Sequence, residues 1–463
     1  MKKVALVILP AWSLETPSMA LAYLAGALEG KHLHQKFDLN LESALLLKDH
    51  QQNLWSMIEG QFIWCNQTTF ENQLLPVLRE YFKKVIDELA NFDIVSFTTY
   101  YSNAVPTAWM AQNLKQKNPD VRCFYGGPNC WSRESQVLTE APWADLVCGQ
   151  EGEDIILEAV DCIDKGLDFS SVNGIWWRKD NLFVENSKRA KTANLSQLPT
   201  PNFDGLRVAE YGKFHYTSLP TLPLQGSRGC VAKCTFCAET RMYRYKPGSK
   251  IFYEIKELVE KFSVKNFDFI DSLINGSMSE FTELIEMLRQ AKLGIRLGGY
   301  ARTHRKMDVE FCRKAKEAGF EWLSIGIESG TPKILELMEK RQTVEVAEST
   351  LYACRVAGIR AVVNWITGFP GETSIDWIIS LMFLYRNRRN IASVSANFTP
   401  AGISPGTPLD LHREDYAVGN HLSHILGDWC SKNYENTIIN RMFRLKLSQI
   451  SLVASWPKTT QNG

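Results

Sequence analysis

A chain of 463 residues, 45% hydrophobic and 22% charged, has the make-up of an ordinary globular protein with material for two or three domains. Its formal net charge of +1 gives no basis for bulk nucleic-acid binding. The most apolar N-terminal run, Val4–Leu9, stops at Pro10, too short for a membrane span and without a signal-peptide cleavage site. The expectation is a cytoplasmic protein with neither a nucleic-acid nor a membrane partner, and its eleven cysteines do not read as a disulfide framework.

Val4–Leu9 has the continuous apolar character of a buried parallel strand. Thr16-Pro17 then predicts a helix start, with Pro17 at the first helical position and Leu21, Ala22, Leu24, Ala25 and Leu28 at helical spacing. A second strand is expected at Lys36–Leu39 and a mostly helical stretch from Leu41 to Leu89. Further strands are expected at Asp93–Thr98, Val121–Tyr125 and Ala144–Cys148, each running into a loop rich in Gly or polar residues and then a helix. Such strand–loop–helix repeats imply a doubly wound parallel sheet over residues 1–165, with ligands bound at the carboxyl ends of its strands. Residues 166–222 read as a linker carrying a small hairpin around Gly174–Arg178 and a proline-punctuated connector, Leu198–Asn202.

A second alternating series occupies residues 223–405. Strands are expected at Pro223–Ser227, Asn266–Ile270, Ile295–Tyr300, Trp322–Ile327, Ala361–Ile366 and Ser393–Phe398, with helices such as Glu280–Gln290 and Val309–Ala318 between them. Six such repeats suit a full or partial α/β barrel whose chemistry lies at the strand C-termini. Residues 406–463 show no period until a helix expected over Tyr434–Leu447, and their His412, His421, His424, Arg441 and Arg444 form no pattern that assigns a role.

Cys230, Cys234 and Cys237 stand out by their C-x3-C-x2-C spacing directly after the first strand of the second series. Thiolates are soft ligands for iron–sulfur clusters or zinc. A structural zinc site asks for a fourth Cys or His at short spacing, and the closest histidine in sequence is His215. Three thiolates alone would leave one iron of a cluster open. The other eight cysteines are scattered and read as small buried hydrophobes.

With its flanking Ser227-Arg228-Gly229 and Phe236, this loop resembles the signature of the radical S-adenosylmethionine superfamily. The resemblance implies a [4Fe–4S] cluster on Cys230, Cys234 and Cys237, with S-adenosylmethionine held by Phe236, Asp271 and Ser272 (amino group), Arg302 (carboxylate), Glu328 (ribose) and the Gly368 turn. It further implies cleavage of the cofactor to a 5′-deoxyadenosyl radical, with an electron donor such as flavodoxin or ferredoxin as partner.

The first domain resembles the cobalamin-binding domain that precedes the barrel in one branch of the superfamily, that of the cobalamin-dependent methyltransferases. Carried over residue by residue, Pro10, Thr16, Pro17, Thr98, Tyr100, Ser102, Gly126, Gly127, Gly149, Gln150 and Glu151 would line cobalamin. The cobalt-ligating D-x-H-x-x-G motif is absent, and Gln150 stands where that branch more often has Glu. The fold implied is α/β: a Rossmann-like domain, a partial (β/α)6 barrel and a small, mainly helical C-terminal region. The activity implied is methylation of an unactivated carbon or phosphorus on a small-molecule or peptide substrate. The alternatives are a radical epimerase, ring-rearranging enzyme or cyclase, or a non-catalytic iron–sulfur carrier or sensor. No residue is assigned as a general acid or base.

Overall fold

The short apolar runs of the sequence become strands of two parallel sheets. In the computed structural model, all residues are described except 48–53, 57–58, 181, 240–241, 395–398, 420–428 and 456–463. The chain divides into one unit of residues 1–193 and 197–223 and another of residues 194–196 and 224–463. Among the described residues, no helix is long and apolar enough to cross a membrane.

The first unit is built on strands β1 (Lys3–Ile8), β2 (Leu33–Asp38), β3 (Ile94–Thr98), β4 (Arg122–Gly126), β5 (Leu146–Cys148), β6 (Ile175–Lys179) and β7 (Leu182–Glu185), in the order β2-β1-β3-β4-β5-β6-β7. The first five are parallel and the last two antiparallel. The hairpin expected in the linker therefore extends this sheet: Trp177 pairs with Leu146 and packs edge-on against Phe169. Val4–Leu9 is at most 1% exposed, because a strand covered by helices on both faces must be apolar throughout. The order 2-1-3-4-5 reverses between β1 and β3, the place where such sheets open a ligand crevice.

Helix α1 (Met19–Leu28) begins later than the sequence suggested. Ser18 is its N-cap, accepting from the Leu21 N–H at 3.3 Å, so Pro17 lies before the cap instead of at the first helical position. A side-chain oxygen that satisfies an orphan N–H sets the boundary more strongly than a proline. The stretch expected to be mostly helical over Leu41–Leu89 is broken into short pieces before α2 (Leu75–Leu89). Helix α2 places Leu78, Phe82, Val85 and Leu89 on its inner face, beneath β1 and β3. Helices α3 (Ala104–Lys117) and α4 (Glu153–Asp164) complete the cover.

The second unit has the sheet order β15-β14-β13-β12-β11-β8, with β16 also paired to β14. Its strands are β8 (Thr221–Leu224), β11 (Asn266–Phe269), β12 (Arg296–Ala301), β13 (Phe320–Glu328), β14 (Arg360–Thr367), β15 (Ser393–Val394) and β16 (Thr399–Pro400). Residues 395–398 of the sixth expected strand lie outside the described residues. The first strand ends at Leu224 rather than Ser227. Gly226 turns the chain, and β9 (Ser227–Arg228) pairs antiparallel with β10 (Arg244–Tyr245). Helices α5 (Gly248–Phe262), α6 (Met278–Ala291), α7 (Val309–Glu317), α8 (Pro332–Leu337), α9 (Val344–Ala357) and α10 (Ser374–Asn387) alternate with the strands, and α11 (Ile438–Ser455) follows. The open parallel sheet is the partial barrel anticipated.

The Leu198–Asn202 connector packs on α1, where the Asn202 N–H donates to Ala22 O at 2.9 Å. A Cβ on Gly26 would fall 2.1 Å from the Thr200 carbonyl oxygen. Gly26→Ala is expected to destabilise the first unit by about 1–3 kcal/mol, since backbone must move to admit the methyl group. Urea denaturation checks this against Gly402→Ala, where nothing lies within 4 Å and the backbone is not left-handed.

Candidate active site

Strand β8 delivers the cysteine loop, and a buried carboxylate fixes its root. Asp271, just after β11 and 2% exposed, accepts from the Gly226 N–H at 3.0 and 3.1 Å and from Ser227 Oγ at 2.5 Å. Burial pushes its carboxyl up to about 6 despite these donors. Its oxygens thus hold the root of the loop at the end of β11. Ser272 is exposed and donates instead to Glu239 Oε2, two residues beyond Cys237.

Cys234 is buried, Cys230 half-buried and Cys237 exposed. The N–H groups of Ala232 and Glu239 donate to the sulfurs of Cys230 and Cys237, each at 3.4 Å. Between them Thr235 is clamped to the end of α8: its N–H reaches Met338 O at 3.1 Å and its Oγ1 reaches Leu337 O at 3.2 Å. Burial raises all three thiols, and each also feels another cysteine of the set. Lys340 pulls all three down, and Arg302 does so at Cys230 and Cys234.

Lys340, which the sequence reading missed, sits at the centre of this arrangement. It is 7% exposed, its Nζ lies 3.0 Å from Glu328 Oε1 and 5.8 Å from the Phe236 ring centroid. Its neighbours Glu339 (φ 48°) and Arg341 (φ 50°) are both left-handed, and that turn drives the lysine inward from a charged run that reads as a solvated helix end. The same turn collects the next two strands. Arg302 Nη2 donates to Lys340 O at 2.7 Å, Thr303 Oγ1 to Gln342 Oε1 at 2.9 Å, and Gln342 Nε2 to Ile327 O at 2.8 Å. Glu328 closes β13 with φ 70°, beside a register shift against β14. A non-glycine residue held there is strained, and such strain collects at functional sites.

Gly368 follows β14 with φ 75°, and its N–H donates to Glu372 Oε2 at 2.6 Å. A Cβ there would meet the Arg441 side chain at 2.4 Å. Arg441 and Arg444 of α11, unassignable from sequence, are buried and grip this turn and its surroundings. Arg441 Nη2 holds Trp429 O at 2.7 Å, and Arg444 Nη1 holds Asn436 Oδ1 at 2.7 Å and lies 3.7 Å from Glu372 Oε2. His421 and His424 fall outside the described residues.

Among the described residues no three His, Cys, Asp or Glu side chains close on a single metal ion. A cluster offers a separate iron to each thiolate, so three cysteines on one loop need not converge on one point. Paired with two cations and backbone N–H donors, this donor set fits an iron–sulfur cluster with an open iron better than zinc.

In the first unit, the residues assigned by resemblance gather at the carboxyl ends of β1, β3, β4 and β5, with Thr16 and Pro17 just before α1. Trp12, 39% exposed, stacks on Tyr100 at 3.5 Å between ring centroids. Its loop is held from below: Ser102 Oγ donates to Ala11 O at 2.5 Å and Asn103 Nδ2 to Leu9 O at 3.1 Å. Thr98 and Pro10 are buried, and Asn103 Nδ2 also reaches Thr98 O at 3.2 Å. Gly127 (φ 103°) passes Thr99 so closely that a Cβ would lie 2.7 Å from its carbonyl oxygen. Gly126, Gly149, Gln150 and Glu151 are half-buried on the neighbouring loops, and a Cβ on Gly149 would strike Glu134. An aromatic platform flanked by glycine backbone suits a large flat ligand, and no histidine occurs between His50 and His215 to ligate its metal.

Comparison with known proteins agrees with this geometry. Residues 224–384 match the model of the radical SAM superfamily. An uncharacterized methyltransferase of Pyrococcus horikoshii is 25% identical over 334 residues, 71% of this chain and 70% of that protein. An anaerobic magnesium-protoporphyrin IX monomethyl ester cyclase of Rubrivivax gelatinosus is 28% identical over 61% of this chain, which spans only 52% of its length. The fold is similar to that of the cobalamin-dependent S-adenosylmethionine radical enzyme OxsB (TM-score 0.69, 18% identity, 97% of this chain and 66% of that one). It is also similar to that of the radical S-adenosylmethionine methyltransferase TsrM from Kitasatospora setae (TM-score 0.68, 16% identity, 91% and 79%).

Burial pushes the Glu372 carboxyl up to about 7, against the pull of the Gly368 N–H and Arg444. The fold therefore favours the protonated acid, and the stability this contributes at low pH is lost as pH rises from the ordinary value of 4.5 through 7. Relative to Glu372→Gln, the native chain is expected to lose on the order of 1–3 kcal/mol across that window. Paired denaturation curves at several pH values check it; parallel pH profiles would contradict it. Residues 224–384, which hold the cysteine loop and the turn that brings Lys340 to it, are by this match a radical SAM domain.

Proposed function

We propose that this enzyme methylates an unactivated carbon, or a phosphorus, of a small-molecule or peptide substrate with cobalamin as methyl carrier. What supports the reading is the pairing, in one chain, of a three-cysteine loop opposed by Lys340 and Arg302 with a separate sheet that carries an aromatic and glycine platform at its switch point.

Cys230, Cys234 and Cys237 would hold the cluster; when bound, it supplies the electron that splits the sulfonium of S-adenosylmethionine, while cobalamin supplies the methyl group. The chain's own residues bind and orient. Lys340 and Arg302 give positive charge for a carboxylate, and Glu328 offers its carboxylate to ribose hydroxyls. With Asp271 committed to Gly226 and Ser227, the Ser272–Glu239 pair is the polar group placed for the amino end. Phe236 packs edge-on against Phe369, and Phe369 against Tyr416, which keeps water from one side of the loop. Flavodoxin or ferredoxin would serve as the electron donor.

A second reading, radical cyclisation without methyl transfer, is favoured by the 28% identity to the Rubrivivax cyclase. Anaerobic reconstitution with iron, sulfide and hydroxocobalamin, followed by desalting and absorption spectroscopy, tests the methyl-transfer reading, since the cyclisation reading holds with or without cobalamin. Retained corrinoid at one per chain is expected, and a protein that keeps its cluster but sheds all corrinoid would overturn the methyl-transfer reading. Cys230→Ala, Cys234→Ala and Cys237→Ala should each lose the cluster iron, whereas Cys312→Ala, a buried position on α7, should keep it. Lys340→Met should retain iron yet bind S-adenosylmethionine roughly 10–100-fold more weakly by equilibrium dialysis, the range for loss of a charge-assisted pair.

A further inference from the structure

The loop that follows β1, residues 9–18, belongs to no helix or strand, so its backbone N–H and C=O groups need partners from elsewhere. Within it Trp12 is 39% exposed, yet one buried side chain holds the backbone on which that ring stands. Asn40, in the first turn of the helix Leu39–Leu46 after β2, is 2% exposed. Its Oδ1 accepts from the Trp12 N–H at 2.9 Å, and its Nδ2 donates to Trp12 O at 3.2 Å and Ser13 O at 3.3 Å. The second lone pair of Oδ1 takes the Trp55 Nε1–H at 2.8 Å.

An asparagine amide has two donors and two acceptor sites, and here all four are used, three of them on the Trp12–Ser13 backbone. Turned over, it would set its NH₂ against two N–H groups and its oxygen against two carbonyls, so its partners fix its orientation. The fourth bond is itself braced. Trp55 lies 5.5 Å from the ring of Trp64, which is fully buried and donates its Nε1–H to Leu54 O at 2.9 Å. Across the switch point, the Tyr100 N–H donates to Asn103 Oδ1 at 2.8 Å. The Trp12 and Tyr100 rings, from the loops after β1 and β3, then stack within 10° of parallel. A loop bearing an exposed ring is ordinarily mobile. Here the ring is set before any ligand arrives, which lowers the ordering cost of binding.

We propose that Asn40 is a positioning residue of this site, holding the Trp12 indole on Tyr100 so that its exposed face receives the flat face of a corrin. The inference rests on the cobalamin reading above and adds to it the residue that meets the ring, Trp12, and the residue that acts through it.

Equilibrium dialysis of the cluster-reconstituted full chain against hydroxocobalamin tests this through a double-mutant cycle. Trp12→Ala removes the ring and leaves the backbone bonds to Asn40 in place. It should weaken binding at least ~10-fold, and Trp12→Phe should recover most of the loss. Asn40→Leu, similar in size but unable to make any of the four bonds, should weaken binding by a similar factor. Added to Trp12→Ala, it should cost less than ~2-fold more, because nothing is left for it to position. A general loss of stability would instead add to the effect of Trp12→Ala. Asn40→Asp keeps both acceptor bonds and loses both donors, so its affinity should fall between those of the native chain and Asn40→Leu. It takes the place of leucine in the cycle if that variant does not fold. Native affinity in Trp12→Ala or in a folded Asn40 variant, or losses that multiply in the double variant, would overturn the proposal. A native chain that keeps its cluster but binds no corrinoid would overturn the cobalamin reading itself, and this inference with it.

Discussion

Keeping three thiolates side by side costs electrostatic work, which the cations and N–H donors around Cys230, Cys234 and Cys237 offset in part. Their burial and mutual repulsion favour the neutral thiols. Lys340, Arg302 and the N–H groups of Ala232 and Glu239 act in the opposite direction. None of these groups would be in place without the Asp271 anchor at the root of the loop and the 337–342 turn at its tip. The thiols, the cations and the strand ends therefore form one cooperative structure, which explains why strain is tolerated at Glu328 and at the residues flanking Lys340.

The C-terminal helix belongs to the same economy of support. Arg441 and Arg444 are buried among carbonyls, Asn436 and Glu372, so α11 fixes the Gly368 turn and its buried acid from behind. One side of that helix is thus committed to the turn and the strands beside it.

Much of this was legible in the sequence. Periodicity identified both sheets, because strands covered on both faces must be apolar, and the cysteine spacing identified the loop. Residues separated in sequence but joined by a turn were not legible. Lys340 lies in Met338-Glu339-Lys340-Arg341-Gln342, a charged run whose inward turn depends on two left-handed residues that no periodicity reveals. Asp271 was picked out at its strand end, but its hold on the Gly226 N–H was not legible, since sequence does not show which backbone N–H a carboxylate reaches. Ser18 was passed over as a cap because Pro17 beside it carries the stronger textual signal.

Product analysis of S-adenosylmethionine turnover bears most directly on the claim that this loop is a radical centre. With the cluster reconstituted and reduced by dithionite, the native protein should release 5′-deoxyadenosine and methionine, while Cys234→Ala should release neither. A native protein whose cluster is shown by electron paramagnetic resonance to be reduced, yet which releases no 5′-deoxyadenosine, would contradict the account and favour a simple electron carrier.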